Sequence, residues 1–517
     1  MANLYHWADQ VAQRVIAEKG DKKLYTLAAG ITPSGVVHIG NFREIITVEL
    51  VERALKTLGK KTRFIYSWDD YDVFRKVPQN LPKQDVLKKY LRYPVTEVPD
   101  TLGCHKSYAE HFEKLVEDVL PEVGVNPEYL YQHKMYQKSK YAEQIKFALN
   151  NADNIAEILN EYRKDKLSKD WLPIKGYCPK CKIDEIKFSD YDGKYNIKIT
   201  CKCGFSESID FRKQGVVKLP WRIDWPMRWK FEQVDFEPGG KEHSTEGGSF
   251  TTAKEIVKLF DWTAPTYQRY DFITVKGEGG KMSSSLGNVI DLRDALEIYE
   301  PEIVRWLFAG TRPNAEFTIA FDLDVLKVYS DFDKCERIFY GEEKVNEKQL
   351  EKQKRIYELS AVDKPLKKIP IQPSFRHLTM ILQINGLDIN QVVKVYDVKG
   401  KEDKEKIRKR ATCAKNWIEK YAPEEFKFQV KEKNDVKLKG KEKELFLEIA
   451  KKLKQKDWTD KELHEEFYVL IKNYDVDNQE FFEIAYNIIV GKDKGPQLAN
   501  FILTIGKEKI IKLFSSV

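Results

Sequence analysis

At 517 residues the chain is longer than one hydrophobic core normally spans, so several domains or subdomains, about three to five, are expected. Its 42% apolar content reads as globular and soluble, and no stretch approaches the roughly 18 apolar residues of a membrane span, which excludes a membrane protein. The 88 basic and 81 acidic residues leave a net charge of +7, which permits a nucleic-acid partner without demanding one.

Met1 to Gly20 reads as an amphipathic helix carrying Asp9, Arg14, Glu18 and Lys19, not as a signal peptide with an uninterrupted apolar core, so a cytoplasmic protein is expected. Leu24 to Ala29 is a short apolar run, the composition of a buried parallel strand, and Gly30, Thr32, Pro33, Ser34 and Gly35 break it. A helix follows, with Ile45, Ile46, Leu50, Val51, Ala54, Leu55 and Leu58 at three- and four-residue spacing and Gly59 at its end. Thr62 to Trp68 is a second apolar run. Strand, loop, helix and strand make one βαβ crossover, whose first loop lies at the carboxyl edge of the sheet, where such folds bind nucleotides. The loop carries neither G-x-G-x-x-G nor G-x-x-x-x-G-K-[ST]. It carries His38-Ile39-Gly40-Asn41 at the mouth of the helix. There the unpaired N–H groups and positive dipole end suit a phosphate, Gly40 admits a nucleotide ring, and His38 can donate to phosphate oxygens. The alternative is that His38 simply caps the helix.

Asp69, Asp70 and Asp72 leave the second strand, and carboxylates there suit an α- or ε-ammonium group; an Asp-rich turn capping a helix is the plainer alternative. Residues 80 to 170 read as helices. Of seven cysteines, four fall in the window Cys178-Pro-Lys-Cys181 and Cys201-Lys-Cys203-Gly204, two pairs on tight turns that can close a tetrahedron of thiolates about Zn²⁺. The second pair is C-x-C, and reduced cysteines lining a small hairpin are the alternative. Asp100, Cys104, His105 and His111 form a further cluster of zinc-type ligands, in which adjacent Cys104 and His105 can both ligate only if the backbone between them turns sharply. Cys335 and Cys413 read as core or surface thiols.

Val216 to Leu219 reads as a short strand returning to the sheet. Pro220 to Trp229 holds three Trp, two Arg and an Asp, unusual for a plain loop: Trp225 and Trp229 suit core anchors, and an apolar wall for an aliphatic substrate stem is the functional reading. Gly239 and Gly240 imply close backbone approach, with His243 facing ribose, adenine or amino acid, before a helix at Thr251 to Phe260. Residues 271 to 276 read as another strand, followed by the glycine-rich stretch Gly277-Glu278-Gly279-Gly280-Lys281-Met282-Ser283-Ser284-Ser285-Leu286-Gly287.

With that pair of loops the chain resembles a class I aminoacyl-tRNA synthetase, His38–Asn41 matching the HIGH motif and Lys281–Ser285 the KMSKS motif. The strings from Gly30 to Asn41, Ser67-Trp-Asp-Asp-Tyr-Asp, Arg222 to Trp229 and Glu237-Pro-Gly-Gly-Lys-Glu-His are similar to the class I lysyl-tRNA synthetases of archaea and some bacteria, over about Leu24 to Asp324. The resemblance implies an α/β fold: a Rossmann-type parallel sheet catalytic domain, a zinc-bearing insertion and an all-α C-terminal region. It places the first half of the catalytic domain at 1–80, the insertion at 81–215, the second half at 216–300, a helical stem-contact-like region at 301–370 and an anticodon-binding region at 371–517. The implied chemistry is ATP-dependent lysyl-adenylate formation, then transfer to the terminal 2′-hydroxyl of tRNA(Lys), with Mg²⁺ bridging phosphate oxygens and Zn²⁺ structural.

By the same resemblance His38, Asn41, Lys281, Ser283 and Ser284 are catalytic. Pro33, Ser34, Gly35, Gly40, Gly240, His243, Met282 and Ser285 join them around ATP. Gly30, Thr32, Asp69, Trp221, His243 and Tyr270 contact lysine or shape its pocket, and relatives carry the same string of Asp100, Cys104, His105 and His111. One departure stands out: Ser284 replaces the usual fourth-position lysine of KMSKS, so Lys281 or Lys276 must supply the positive charge, or the loop contributes less. Beyond Asp324 the Lys/Glu-rich helices suit a bundle that docks RNA, with Trp417, Tyr421 and Phe426 available to stack bases or to fill a core. A monomer is expected. The rival readings are a class I synthetase for glutamate, glutamine or arginine, and an idle RNA-binding protein on the same scaffold.

Overall fold

The structure is a computed structural model that describes residues 5–276 and 289–517. It forms two compact units: Met1–Leu296 with Pro301–Ile319 and Cys335–Pro365, and Glu297–Glu300 with Ala320–Lys334 and Leu366–Val517. Residues 81–215 fall within the first.

The first unit is built on five parallel strands. β1 (Tyr25–Ile31) is buried along its first five residues, as its unbroken apolar run requires, and α2 (Ile39–Thr57) carries the chain over to β2 (Thr62–Trp68). Ahead of them α1 (Trp7–Lys19) packs on α2. β3 (Glu128–Tyr131) lies outside β2, while β4 (Val234–Gly240) and β5 (Thr266–Tyr270) lie on the other side of β1, giving the order β5-β4-β1-β2-β3. The direction of winding reverses between β1 and β4, so the crevice at the carboxyl ends of these two strands is the topological switch point. Gly30 is fixed there by packing: a Cβ would sit 2.7 Å from the Ser67 carbonyl oxygen of β2.

Three sequence expectations change, and one stretch left without an element gains one. The span 80–170 is not wholly helical, because Glu128-Tyr-Leu-Tyr131 pairs in parallel with β2; four residues on a sheet edge are too few to announce themselves. Val217–Lys218 does not return to the sheet but pairs antiparallel with Lys175–Gly176. Of 271–276 only Ile273–Val275 is a strand, paired with Phe317–Ile319, and β5 just before it fills the sheet position instead. Trp221–Phe231 is a helix, α3, despite Pro226 within it. Its tryptophans at 221, 225 and 229 recur every fourth residue and stack along one face, with centroids 5.0 and 4.9 Å apart.

In the second unit helices surround an apolar core that includes Leu445, Phe446, Phe467, Phe481 and Phe501. Arg410, fully buried, bonds Glu300 Oε2 at 2.7 Å and Asp333 at 2.9 Å, and together with Lys406, 2.8 Å from Glu300 Oε1, it holds Glu300's carboxyl down at about 2 despite its burial. Trp417 is core, donating to the Phe321 carbonyl, and Phe426 is half-buried; Cys335 and Cys413 are both buried.

Candidate active site

At the start of α2, His38 is the N-cap: its Nδ1 accepts from the Gly40 N–H at 3.1 Å, which leaves the ring proton on Nε2 as a donor. Capping and catalysis are therefore compatible readings, since the cap sets the tautomer that a phosphate oxygen needs. The expectation of unpaired amides at this helix end is corrected. Ile39 N–H donates to the Ile290 carbonyl at 2.8 Å and Asn41 N–H to the His38 carbonyl at 2.8 Å, so the first amides have partners in the chain itself. His38 also forms a β-bridge with Asp291. Lys281, Met282, Ser283, Ser284 and Ser285 lie outside the described residues, and what resumes after them at Ile290 and Asp291 abuts the HIGH-like helix start. In the loop before it, Ser34's carbonyl accepts from Tyr108 Oη at 2.6 Å, and Pro33 and Gly35 are buried.

Across the crevice the carboxylates are individually held, not clustered as a helix cap. Asp69 accepts from Arg228 at 2.7 Å, Asp70 pairs with His133 beyond β3, and Asp72 accepts from Lys218 at 2.6 Å and from the Thr32 hydroxyl at 3.3 Å. Glu44 of α2, which sequence reading missed, joins two residues that it did find: Oε1 accepts from the Gly30 N–H at 3.0 Å and Oε2 from Tyr270 Oη at 2.6 Å. Glu237 accepts from Trp229 Nε1 at 2.5 Å. Glu44 was legible as a carboxylate set between buried Phe42, Arg43, Ile45 and Ile46, and its bonds to Gly30 of β1 and Tyr270 of β5 turn it to the sheet.

Burial, opposed by these donors, raises Glu44's carboxyl to about 8, Glu237's to about 7 and Asp69's to about 6. Arg228 is the guanidinium that offsets Asp69, and it is shared with Asp224 at 3.3 Å. The floor of the crevice is thus short of positive charge, the electrostatic complement of an incoming ammonium. Its wall is the tryptophan face of α3: Trp225 and Trp229 are buried and Trp221 is 39% exposed. His243 lies 5.8 Å from the Trp225 ring, its Nδ1 2.7 Å from Ser249 Oγ, and burial holds its imidazole below the usual range.

Both predicted metal-ligand sets converge. Cys178 and Cys203 Sγ are 3.6 Å apart, as are Cys181 and Cys201, and all four ligand atoms fall within 4.8 Å of one another. Thiolates about 2.3 Å from one Zn²⁺ stand roughly 3.8 Å apart in a tetrahedron, so the set fits. Asp100, Cys104, His105 and His111 also lie within 4.8 Å. The sharp turn they need is made by Gly103 at φ +81° and by Asp100, whose Oδ2 accepts from the Cys104 and His105 amides at 2.9 and 2.8 Å.

A five-stranded parallel sheet with a capping imidazole at the start of its first crossover helix, beside the switch point, is the fold of the class I aminoacyl-tRNA synthetases. The chain belongs to the family described as tRNA synthetases class I (K), which matches residues 5–363; residues 407–512 match an anticodon binding domain. It is 50% identical to a lysine–tRNA ligase of Borrelia garinii subsp. bavariensis, over 99% of each chain. It is 47% identical to one from Treponema pallidum, over 99% of this chain and 98% of that one, and 42% identical to one from Thermococcus kodakarensis, over 98% and 99%.

Proposed function

We propose that the protein joins L-lysine to tRNA(Lys) in the cytoplasm, in two steps driven by ATP. The observation that carries the amino-acid choice is the floor of three proton-raised carboxyls, Glu237 buried and Glu44 and Asp69 half-buried, offset by Arg228, beside an aromatic wall: a cationic side chain with an aliphatic stem satisfies both. A glutamyl side chain would add negative charge to the same floor. Arginine is the cationic rival; relatives named for lysine favour lysine over it.

In the first step a lysine carboxylate oxygen attacks the α-phosphorus and the bond to the β-phosphate oxygen breaks, releasing pyrophosphate. In the second, a ribose hydroxyl of the tRNA's terminal adenosine attacks the activated carbonyl, loses its proton, and AMP leaves. Negative charge develops on phosphoryl oxygens, so positioned donors supply the catalysis. His38 Nε2–H and Lys281 serve the phosphates from the two loops; Glu44, with Tyr270, takes an ammonium of lysine, and Asp69 shares its charge between Arg228 and the other ammonium. Mg²⁺, when bound with ATP, neutralises the phosphate oxygens. The Cys178, Cys181, Cys201 and Cys203 set, and the Asp100, Cys104, His105 and His111 set, each hold a structural Zn²⁺.

ATP–pyrophosphate exchange with cognate tRNA present tests this reading. Exchange that depends on lysine supports it; dependence on glutamate or arginine, or none, rejects it. His38→Asn separates the two duties of His38. Asn is a good N-cap, so thermal stability is expected to stay within about 0.5 kcal/mol of wild type, while exchange falls about 100- to 1000-fold for want of the imidazole donor.

A further inference from the structure

Behind the carboxylate floor of the crevice a chain of hydrogen bonds runs out to the edge strand of the sheet through Ser67 and Gln132, which the chemistry above does not use. Arg228 Nη1 has two hydrogens and both are spent, one on Asp69 Oδ1 and one on Ser67 Oγ, each at 2.7 Å. Ser67 stands on β2 two residues before Asp69, and its Oγ accepts a second bond, from Gln132 Nε2 at 2.7 Å. Gln132 opens a short helix at Gln132–Gln137, directly after β3, and is 2% exposed. Its own Oε1 accepts from Oη of the fully buried Tyr141 at 3.0 Å, so the amide is gripped from behind. One turn further along, Tyr136 Oη donates to Asp224 Oδ1, while Asp224 Oδ2 stands 3.3 Å from Arg228 Nε. The same short helix thus reaches the guanidinium from two sides. Gln132, Asp69, Asp224 and Trp221 also line one small cavity of about 10 Å³, which puts Gln132 at the border of the crevice.

We propose that Gln132 is a positioning residue that sets amino-acid selectivity by clamping Arg228, through Ser67, onto Asp69. The proposal rests on the lysine reading above and says how a guanidinium inside that floor is kept from spoiling it. A serine side chain has three rotamers, and the Gln132 amide fixes the one that turns a lone pair to Arg228. Without the amide Ser67 turns away, an Nη1 hydrogen loses its acceptor, and the guanidinium gains the freedom to leave Asp69. An arginine loose in the crevice repels an incoming ammonium and offers a countercharge to an acidic side chain instead. An amide needed only to tie the edge strand to β2 has no reason to end on the hydroxyl that Arg228 also uses.

The test compares wild type with Gln132→Met, which keeps the length of the side chain and removes both of its bonds, in pyrophosphate exchange with cognate tRNA present. The lysine KM is expected to rise about tenfold while kcat at saturating lysine falls less than about threefold, the pattern of lost ground-state binding. Two competitors separate the clamp from a general loosening of the pocket: norleucine lacks the ε-ammonium, and 6-aminohexanoate lacks the α-ammonium. Inhibition by the analogue that lacks the ammonium held by Asp69 is expected to stay within about twofold, and inhibition by the other to weaken about tenfold. Ser67→Ala, a smaller change, is expected to give the same split, and the double variant to be no worse than Ser67→Ala alone. An unchanged lysine KM in both variants, equal weakening of both analogues, or additive losses in the double variant overturns the proposal. Absence of lysine-dependent exchange in wild type rejects the ligase reading, and the clamp falls with it; lysine-dependent exchange with a wild-type KM in the variants rejects the clamp alone.

Discussion

Glu44→Gln is expected to raise the KM for lysine by about 100-fold or more. Gln keeps the size of the side chain and can still accept from Tyr270 or Gly30, so the fold is retained, but the ammonium loses its countercharge. Removing one partner of a buried ion pair costs about 3–5 kcal/mol, and each 1.36 kcal/mol is tenfold. The same carboxyl sets a pH signature. Glu44, Glu237 and Asp69 titrate near 8, 7 and 6 in the folded chain against ordinary values of 4.5, 4.5 and 3.8. A carboxyl raised in this way holds a proton that the unfolded chain releases. Its contribution to stability is therefore complete below the unfolded value and is lost as pH rises through the folded one. The ligand-free protein should melt at a lower temperature at pH 8 than at pH 6, lysine should restore the difference, and Glu44→Gln should flatten the slope. An unchanged KM and an unchanged slope would place the ammonium elsewhere.

Cys178→Ser is expected to remove one zinc per chain and to cost more than about 4 kcal/mol, the scale of losing a structural metal, with a fall in melting temperature of about 10 °C. The loss should not stay local. The strands Ile186–Ser189, Asn196–Cys201 and Ser206–Asp210, with Phe211 just after the last, bury Ile197, Ile199, Ile209 and Phe211 in one core with Tyr136, Tyr141, Ile223 and Met227. The last two lie on α3, the helix that carries the tryptophan wall and Arg228. Tyr136 in turn donates to Asp224. Loosening the ribbon should thus raise the lysine KM as well. Zinc content by mass spectrometry together with KM checks both; full zinc content in the variant, or a wild-type KM after zinc loss, would separate the ribbon from the pocket.

The elements that sequence reading found were those written in one period. Thr62–Trp68 matches β2 end for end, and Ile45 to Leu55 define the inner face of α2. What it missed was written between elements. β3 is four residues long and owes its place to β2. The four-residue spacing of the α3 tryptophans marks a helix face, but Pro226 within the helix breaks the usual signal and the stretch carried no element assignment in sequence. Both ligand sets for metal were legible because the chemistry restricts residue type as well as spacing. The partners of the three aspartates were not, since Arg228, His133 and Lys218 approach from distant segments that only the folded sheet assembles. Glu44 shows the same limit: a carboxylate inside a helix takes its meaning from Gly30 and Tyr270, one on each side of the switch point.

The amide of Ile39, joined to the Ile290 carbonyl, has a consequence for how a nucleotide is accepted. A triphosphate that reached for that amide would first have to evict a neighbour, at roughly the 1 kcal/mol of an ordinary internal hydrogen bond. Accommodating the nucleotide and shifting the chain at Ile290 then become one event. A bare ATP analogue should grip weakly, and whatever draws residues 290–291 aside should tighten it.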